Sequence, residues 1–95
     1  MMQPRDSRRV PSVSELNFRQ AVAAEVKARR GLIGISQEEL AFRAGLHRTF
    51  IARLEVASTQ PSLSVTFQLA EALLVAPEEL VKAVRLRIAR STREG

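Results

Sequence analysis

Ninety-five residues, 45% of them apolar and 26% charged, suffice for one hydrophobic core and exclude a fibrous or wholly disordered chain. The absence of Cys and the single His exclude disulfides, thiolate catalysis and Cys- or His-cluster metal sites, and no apolar run reaches the roughly 18 residues of a membrane span. The net charge is +5 and 13 of the 15 cations are arginine, unevenly placed: a basic body, an acidic stretch over 57–81 with no Lys or Arg, and a basic end, which suits either a polyanion on one face or a well-solvated surface.

Residues 1–13, MMQPRDSRRVPSV, hold two prolines and almost no apolar periodicity, and are expected to form a flexible basic arm. Arg5, Arg8 and Arg9 suit phosphate or a minor groove; the plainer alternative is a solvated tail. No apolar stretch of signal-peptide length follows these arginines, so the cytoplasm is the expected compartment. Residues 14–90 are expected to form the domain and 91–95 a tail.

From Ser14 the pattern turns helical. Phe18, Val22 and Val26 fall at i, i+4 and i+8, and Gly34 is placed to stop this first helix in a left-handed conformation. Ser36 with Glu39 three positions on predicts a reciprocal cap for a second helix, about 37–44, with Leu40, Ala41 and Ala44 inward. Gly45 breaks it. A third helix is expected over about 48–55, with Ile51 and Leu54 inward, then a loop over 56–60 ahead of Pro61. Ser62 caps a fourth, reaching about Leu74 and burying Leu63, Val65 or Phe67, Leu69, Ala70 and Leu73. Pro77 suits the first turn of a fifth, with Glu78 and Glu79 at its positive end, running to about Arg90. Nothing reads as a strand, so the expected fold is all-α with five helices.

The stretch QEELAFRAGLHRTFIARLEV, residues 37–56, carries the functional signal. Two short helices crossing at a tight turn need a small residue at the crossing, and Ala41 supplies it. The turn needs a positive φ, supplied by Gly45, and the second helix needs a branched apolar residue in the angle, supplied by Ile51. Leu40, Leu46 and Leu54 complete the set. This is helix-turn-helix spacing, in which the second helix presents a polar face to the DNA major groove; an ordinary helical hairpin is the alternative.

From about Phe18 to Val81 the chain resembles the lambda-repressor-like family, the Cro/repressor and XRE-type regulators. VKARRGLIGISQEELA resembles the junction of its first two helices, GLHRTFIARLE its turn and recognition helix, and QPSLSVTFQLAEALLVAPEEL its fourth-helix segment. HRTFIARLE is similar to the recognition helix of restriction–modification controller proteins. The resemblance implies DNA-binding roles residue by residue. Gln37 matches a position that bonds phosphate, and Arg48 and Thr49 match base-reading positions, with Arg53 one turn on. His47 would cap the third helix or touch phosphate. Phe50 would pack or touch a thymine methyl, and Ser58 and Thr59 lie in a loop that reaches phosphate. Arg30 and Glu55 match a structural ion pair. Two departures stand out: Ala57 and Leu74 occupy positions where the family has Gly, which predicts an altered loop at the first and a changed link to the fifth helix at the second.

Leu80, Val81, Val84 and Ile88 fall at helical spacing; the first half of this stripe is expected to close the chain's own core, the part from Val84 onward extends past the usual domain end, and with Leu74 the stripe is expected to form a homodimer interface. The expected function is a dimeric, sequence-specific transcriptional regulator on double-stranded DNA. The alternative is an antitoxin-type component whose main partner is a toxin protein. The inventory leaves no catalytic set, so no enzyme is expected, and neither cofactor, metal, membrane nor small-molecule effector is implied.

Overall fold

The computed structural model describes residues 13–94, with side chains from 15 to 91. The arm with Arg5, Arg8 and Arg9 lies outside the described residues. Five helices and no strand are present among the rest: α1 (Val13–Ile33), α2 (Gln37–Ala44), α3 (Arg48–Glu55), α4 (Leu63–Ala72) and α5 (Pro77–Glu94). α1 packs against α5 and α3, and α2 lies between α3 and α4. Val26, Leu40, Ile51, Leu54 and Leu69 are the largest fully buried side chains, so four of the five helices send a residue into the same centre. Leu80 and Val84 close that core from α5.

One local device ends the first four helices. Gly34, Gly45, Ala57 and Leu74 all take left-handed backbone, with φ of 72°, 72°, 63° and 63°. The N–H that follows each of them donates to the carbonyl five residues back: Ile35 to Arg30 at 3.2 Å, Leu46 to Ala41 at 2.8 Å, Ser58 to Arg53 at 3.0 Å and Val75 to Ala70 at 2.9 Å. This closure satisfies carbonyls that a helix end would otherwise leave open. The expectation that Ala57 reshapes its loop is therefore corrected. The six-residue bond holds the turn, and the β-carbon is carried into the left-handed region at a cost in strain. The link at Leu74 likewise keeps this geometry. Replacing Ala57 by Gly is expected to stabilise the fold by about 0.5–1 kcal/mol, read as a higher denaturation midpoint in urea at unchanged slope.

Several sequence expectations move. α4 ends at Ala72 rather than Leu74, because the closure begins there. Leu63 is exposed, at 73%, since α4 turns the stripe of Leu69, Ala70 and Leu73 inward, and of the two alternatives Val65 packs against the core while Phe67 is 54% exposed. α5 continues through the expected tail to Glu94. The Ser36 cap forms one way only. Its Oγ accepts from the Glu39 N–H at 3.0 Å, while the Glu39 carboxylate is taken by Arg43 at 2.8 Å.

A buried carboxylate fastens α5. Glu25, on α1, accepts from Arg29 one turn on and from Arg87 of α5, each at 2.6 Å. Burial pushes its carboxyl up, but the bonds and charges of the two arginines outweigh that and hold it below the usual carboxylate range.

Candidate nucleic-acid interface

The recognition segment begins with α2, whose Ser36 cap and first-turn acids Glu38 and Glu39 suit the positive helix end. Gly45 then turns the chain, and the Gln68 side chain of α4 donates to the Ala44 carbonyl at 2.9 Å, tying the turn to the scaffold. α3 packs inward through Ile51 and Leu54, both fully buried. Its opposite side faces solvent.

On that side Arg48, Thr49 and Arg53 are exposed. Neither guanidinium has an ion-pair or hydrogen-bond partner among the described residues, whereas Arg29, Arg30, Arg43 and Arg87 are all paired with carboxylates. Unpaired arginine on an exposed helix face leaves its full set of donors for a ligand. His47 precedes the helix but makes no side-chain cap bond, so the expected capping role is not taken. The His47 carbonyl accepts from the N–H groups of Phe50 and Ile51, at 3.0 and 3.3 Å. The N–H groups of Arg48 and Thr49 are left open at the positive end of the helix.

Phe50 is half-buried and packed against the core, which favours the packing alternative for it. Ser58 spends its hydroxyl on the Arg53 carbonyl at 3.1 Å, closing the end of α3, and Thr59 beside it is half-buried. On the far side of this loop, Gln60 is held by Arg19 at 3.0 Å.

A network with one carboxylate at its centre aims the helix. Arg30 donates to both oxygens of Glu55, Nε to Oε2 at 2.7 Å and Nη2 to Oε1 at 2.8 Å, and its Nη1 donates to the Ile35 carbonyl at 2.9 Å. Gln37 Nε2 adds a third bond to Glu55 Oε1 at 3.0 Å. Only 2% of the Glu55 side chain and 20% of the Arg30 side chain are exposed. Burial pushes the Glu55 carboxyl up, but the bonds from Arg30 and Gln37, with the charges of Arg30 and Lys27, outweigh that and hold it below its ordinary value. The same bond raises the Arg30 guanidinium. Gln37, expected at phosphate, is thus also part of the scaffold that ties the first residue of α2 to the last of α3. Its bond to Glu55 had no sequence signal, because helical spacing does not relate residues 37 and 55.

Among the expected interface residues of α4 and α5, Leu74 and Val81 are exposed. Leu80 and Val84 are not available there. They are 3% and 8% exposed and belong to the chain's own core, and Ile88 is packed against it. Leu80 closes the core, as expected of the first half of the stripe, and its assignment with Val84 and Ile88 to a dimer interface is corrected, since all three are satisfied inside one molecule. No helix of the described residues is long and apolar enough to cross a membrane, and no group of three or more His, Asp or Glu stands together there as a metal site.

The chain matches the helix-turn-helix family model HTH_3 over residues 26–80. It is 36% identical over 58 residues to the control protein C.SmaI of Serratia marcescens, spanning 61% of this chain and 69% of that protein. The solved restriction–modification controller protein C.AhdI from Aeromonas hydrophila is 32% identical with a TM-score of 0.66, covering 70% of this chain and 96% of that one. The hypothetical transcription factor NHTF from Neisseria is 35% identical with a TM-score of 0.64, covering 76% and 80%.

Proposed function

Since the chain belongs to the HTH_3 helix-turn-helix family and is a DNA-binding regulator of transcription, we propose that it acts as a dimer on an inverted-repeat operator, in the manner of a restriction–modification controller. The observation that carries this reading is the outer face of α3, where Arg48, Thr49 and Arg53 stand exposed on a helix locked from behind by Arg30 and Glu55. In the proposed complex α3 enters the major groove. Arg48 and Arg53 donate to guanine O6 and N7 or to flanking phosphate, and Thr49 meets a thymine methyl. The open N–H groups of Arg48 and Thr49 favour a phosphate at the helix start. Gln37, His47, Ser58 and Thr59 border this surface.

Two copies related by a two-fold axis would set their α3 helices about 34 Å apart, one turn of DNA, and make the operator palindromic. The protein acts in the cytoplasm by binding alone, without cofactor or effector, so its abundance and self-association set operator occupancy. The relatives found are regulators and control proteins, which favours this reading over a toxin-bound one.

Selection from a random duplex pool at near-physiological salt tests the proposal. An inverted repeat with half-sites about 10 base pairs apart is expected. Enrichment of a lone half-site would overturn the dimeric reading, and no enrichment by folded protein would overturn sequence-specific binding.

A further inference from the structure

We infer that Arg19 of α1 and Gln60 of the loop before α4 form a seat for one DNA backbone phosphate at the end of the recognition helix. The inference rests on the operator-binding reading above and adds a contact that reads no base. Arg19 stands outside the residues that match the family model.

The first observation is how the arginines are used. Among the described residues five of them donate Nε to another side chain, at 2.6–3.0 Å. For Arg29, Arg30, Arg43 and Arg87 the acceptor is a carboxylate, so each charge is met inside the molecule. Arg19 is held in the same manner at 3.0 Å, but its acceptor is the side-chain carbonyl of Gln60, which is neutral. The bond fixes the direction of the guanidinium and leaves its charge uncompensated. A carboxylate at position 60 would have tied α1 to the loop equally and neutralised the arginine.

The donors left over suit an oxyanion. Arg19 carries five N–H donors and gives one to Gln60, so four remain on its two Nη atoms. Gln60 turns its carbonyl to Arg19, which leaves the two N–H groups of its amide. None of these is bonded to an acceptor among the described residues. Arg19 is half-buried while the bond itself is exposed, so the packed stem carries a held guanidinium at the surface rather than a freely swinging one. A fixed, charged fork beside a second pair of donors matches the oxygens and the charge of a phosphate.

The loop sets this seat at the edge of the major groove. Ser58 bonds back to the Arg53 carbonyl through its N–H, at 3.0 Å, and its hydroxyl, at 3.1 Å. The loop therefore stays against the last turn of α3, where Arg53 faces outward. Gln60 follows two residues later, roughly 7 Å of chain at most. A helix is about 10–12 Å across and the major groove about 12 Å wide, so α3 fills the groove and chain leaving its end meets the groove wall. That wall is phosphate, with one charge for about every 1.7 Å of duplex.

Titrations against the selected repeat over a series of salt concentrations test this. Arg19→Ala is expected to weaken binding about tenfold or more near physiological salt. The slope of log affinity against log salt should fall by about two for a dimer, one for each subunit, and equally on a base-changed repeat. Tm should stay at the parental value, because the bond removed is exposed. Gln60→Glu should give the same loss of slope with Arg19 in place, since the new carboxylate takes up its charge. Lys82→Ala removes an equal charge from the exposed side of α5 and should leave the slope unchanged. Ethylation of single phosphates should reveal one position in each half-site that blocks the parent and to which Arg19→Ala is indifferent. Equal slopes for parent and Arg19→Ala would overturn the seat, as would an equal drop for Lys82→Ala, which would make the effect one of net charge. A fall in Tm large enough to account for the lost affinity would also overturn it. A parent that selects no sequence would overturn the operator reading as well, whereas a parent that binds its repeat with a slope indifferent to Arg19 overturns this inference alone.

Discussion

Replacing Glu55 by Gln is expected to cost about 3–5 kcal/mol of stability, because it strands a mostly buried guanidinium, two of whose nitrogens donate to that one carboxylate. A domain of this size holds roughly 5–15 kcal/mol in all, so the change removes a large share. Tm should fall on the order of 15–30 °C. The pair itself is not expected to be worth that much. Taking both ions out of water costs nearly what their attraction returns, so Arg30→Met with Glu55→Leu should recover a large part of the loss. A double variant as unstable as Glu55→Gln would show instead that the charges are themselves net stabilising.

The same carboxylate gives stability a pH dependence of known sign. The folded pKa of Glu55 lies below its ordinary value of 4.5. Its contribution is therefore fully present above about pH 4.5 and is lost as pH falls through the lower, folded value. Glu25 acts in the same direction. Acid should unfold the parent protein progressively in that window, and Glu55→Gln should show a shallower slope of stability against pH there. An equally steep slope in the variant would assign the acid sensitivity to Glu25 and the remaining carboxylates.

The two glycines at helix ends and the offsets around Ala41, Gly45 and Ile51 made α1 to α3 readable to within a residue, because each follows from backbone geometry over a few positions. Ala57 and Leu74 perform the same closure without announcing it. Neither residue type favours positive φ, so only the completed packing shows that the chain is held there. Periodicity along α4 marked more apolar residues than the core accepts. It cannot say how wide a sector a helix buries, and Leu63 and Phe67 fell outside it. On α5 the core use expected for the first half of the stripe holds for Leu80 and extends to Val84, so neither is left for a partner. The Arg30–Glu55 bond spans 25 residues and was legible only through family resemblance. Glu25 to Arg29 follows helical spacing, but Arg87, 62 residues from Glu25, is joined to it by tertiary packing alone. For the site, the residues of α3 were legible because their exposure follows from burying Ile51 and Leu54. The second duty of Gln37 was not.

The interface itself should respond most to Arg48 and Arg53. A forked bond from arginine to guanine is worth about 1–3 kcal/mol of discrimination. A two-fold complex presents each side chain twice, so either change to Ala should weaken the dimer on its preferred repeat by about 2–6 kcal/mol, roughly 30-fold to more than 10,000-fold. Preference should relax at one base of each half-site. An arginine that meets phosphate instead would act differently. Its removal should weaken all sequences alike and reduce the slope of log affinity against log salt by about two, one for each subunit. Titrations of Arg48→Ala and Arg53→Ala against the selected repeat and a base-changed repeat, at three salt concentrations, separate these roles. Since neither guanidinium bonds to anything within the described residues, both variants should keep the parental Tm, and a loss of affinity can then be assigned to the interface rather than to the fold. Unchanged affinity in both variants would remove the outer face of α3 from DNA recognition, since no other exposed part of that helix carries a cation.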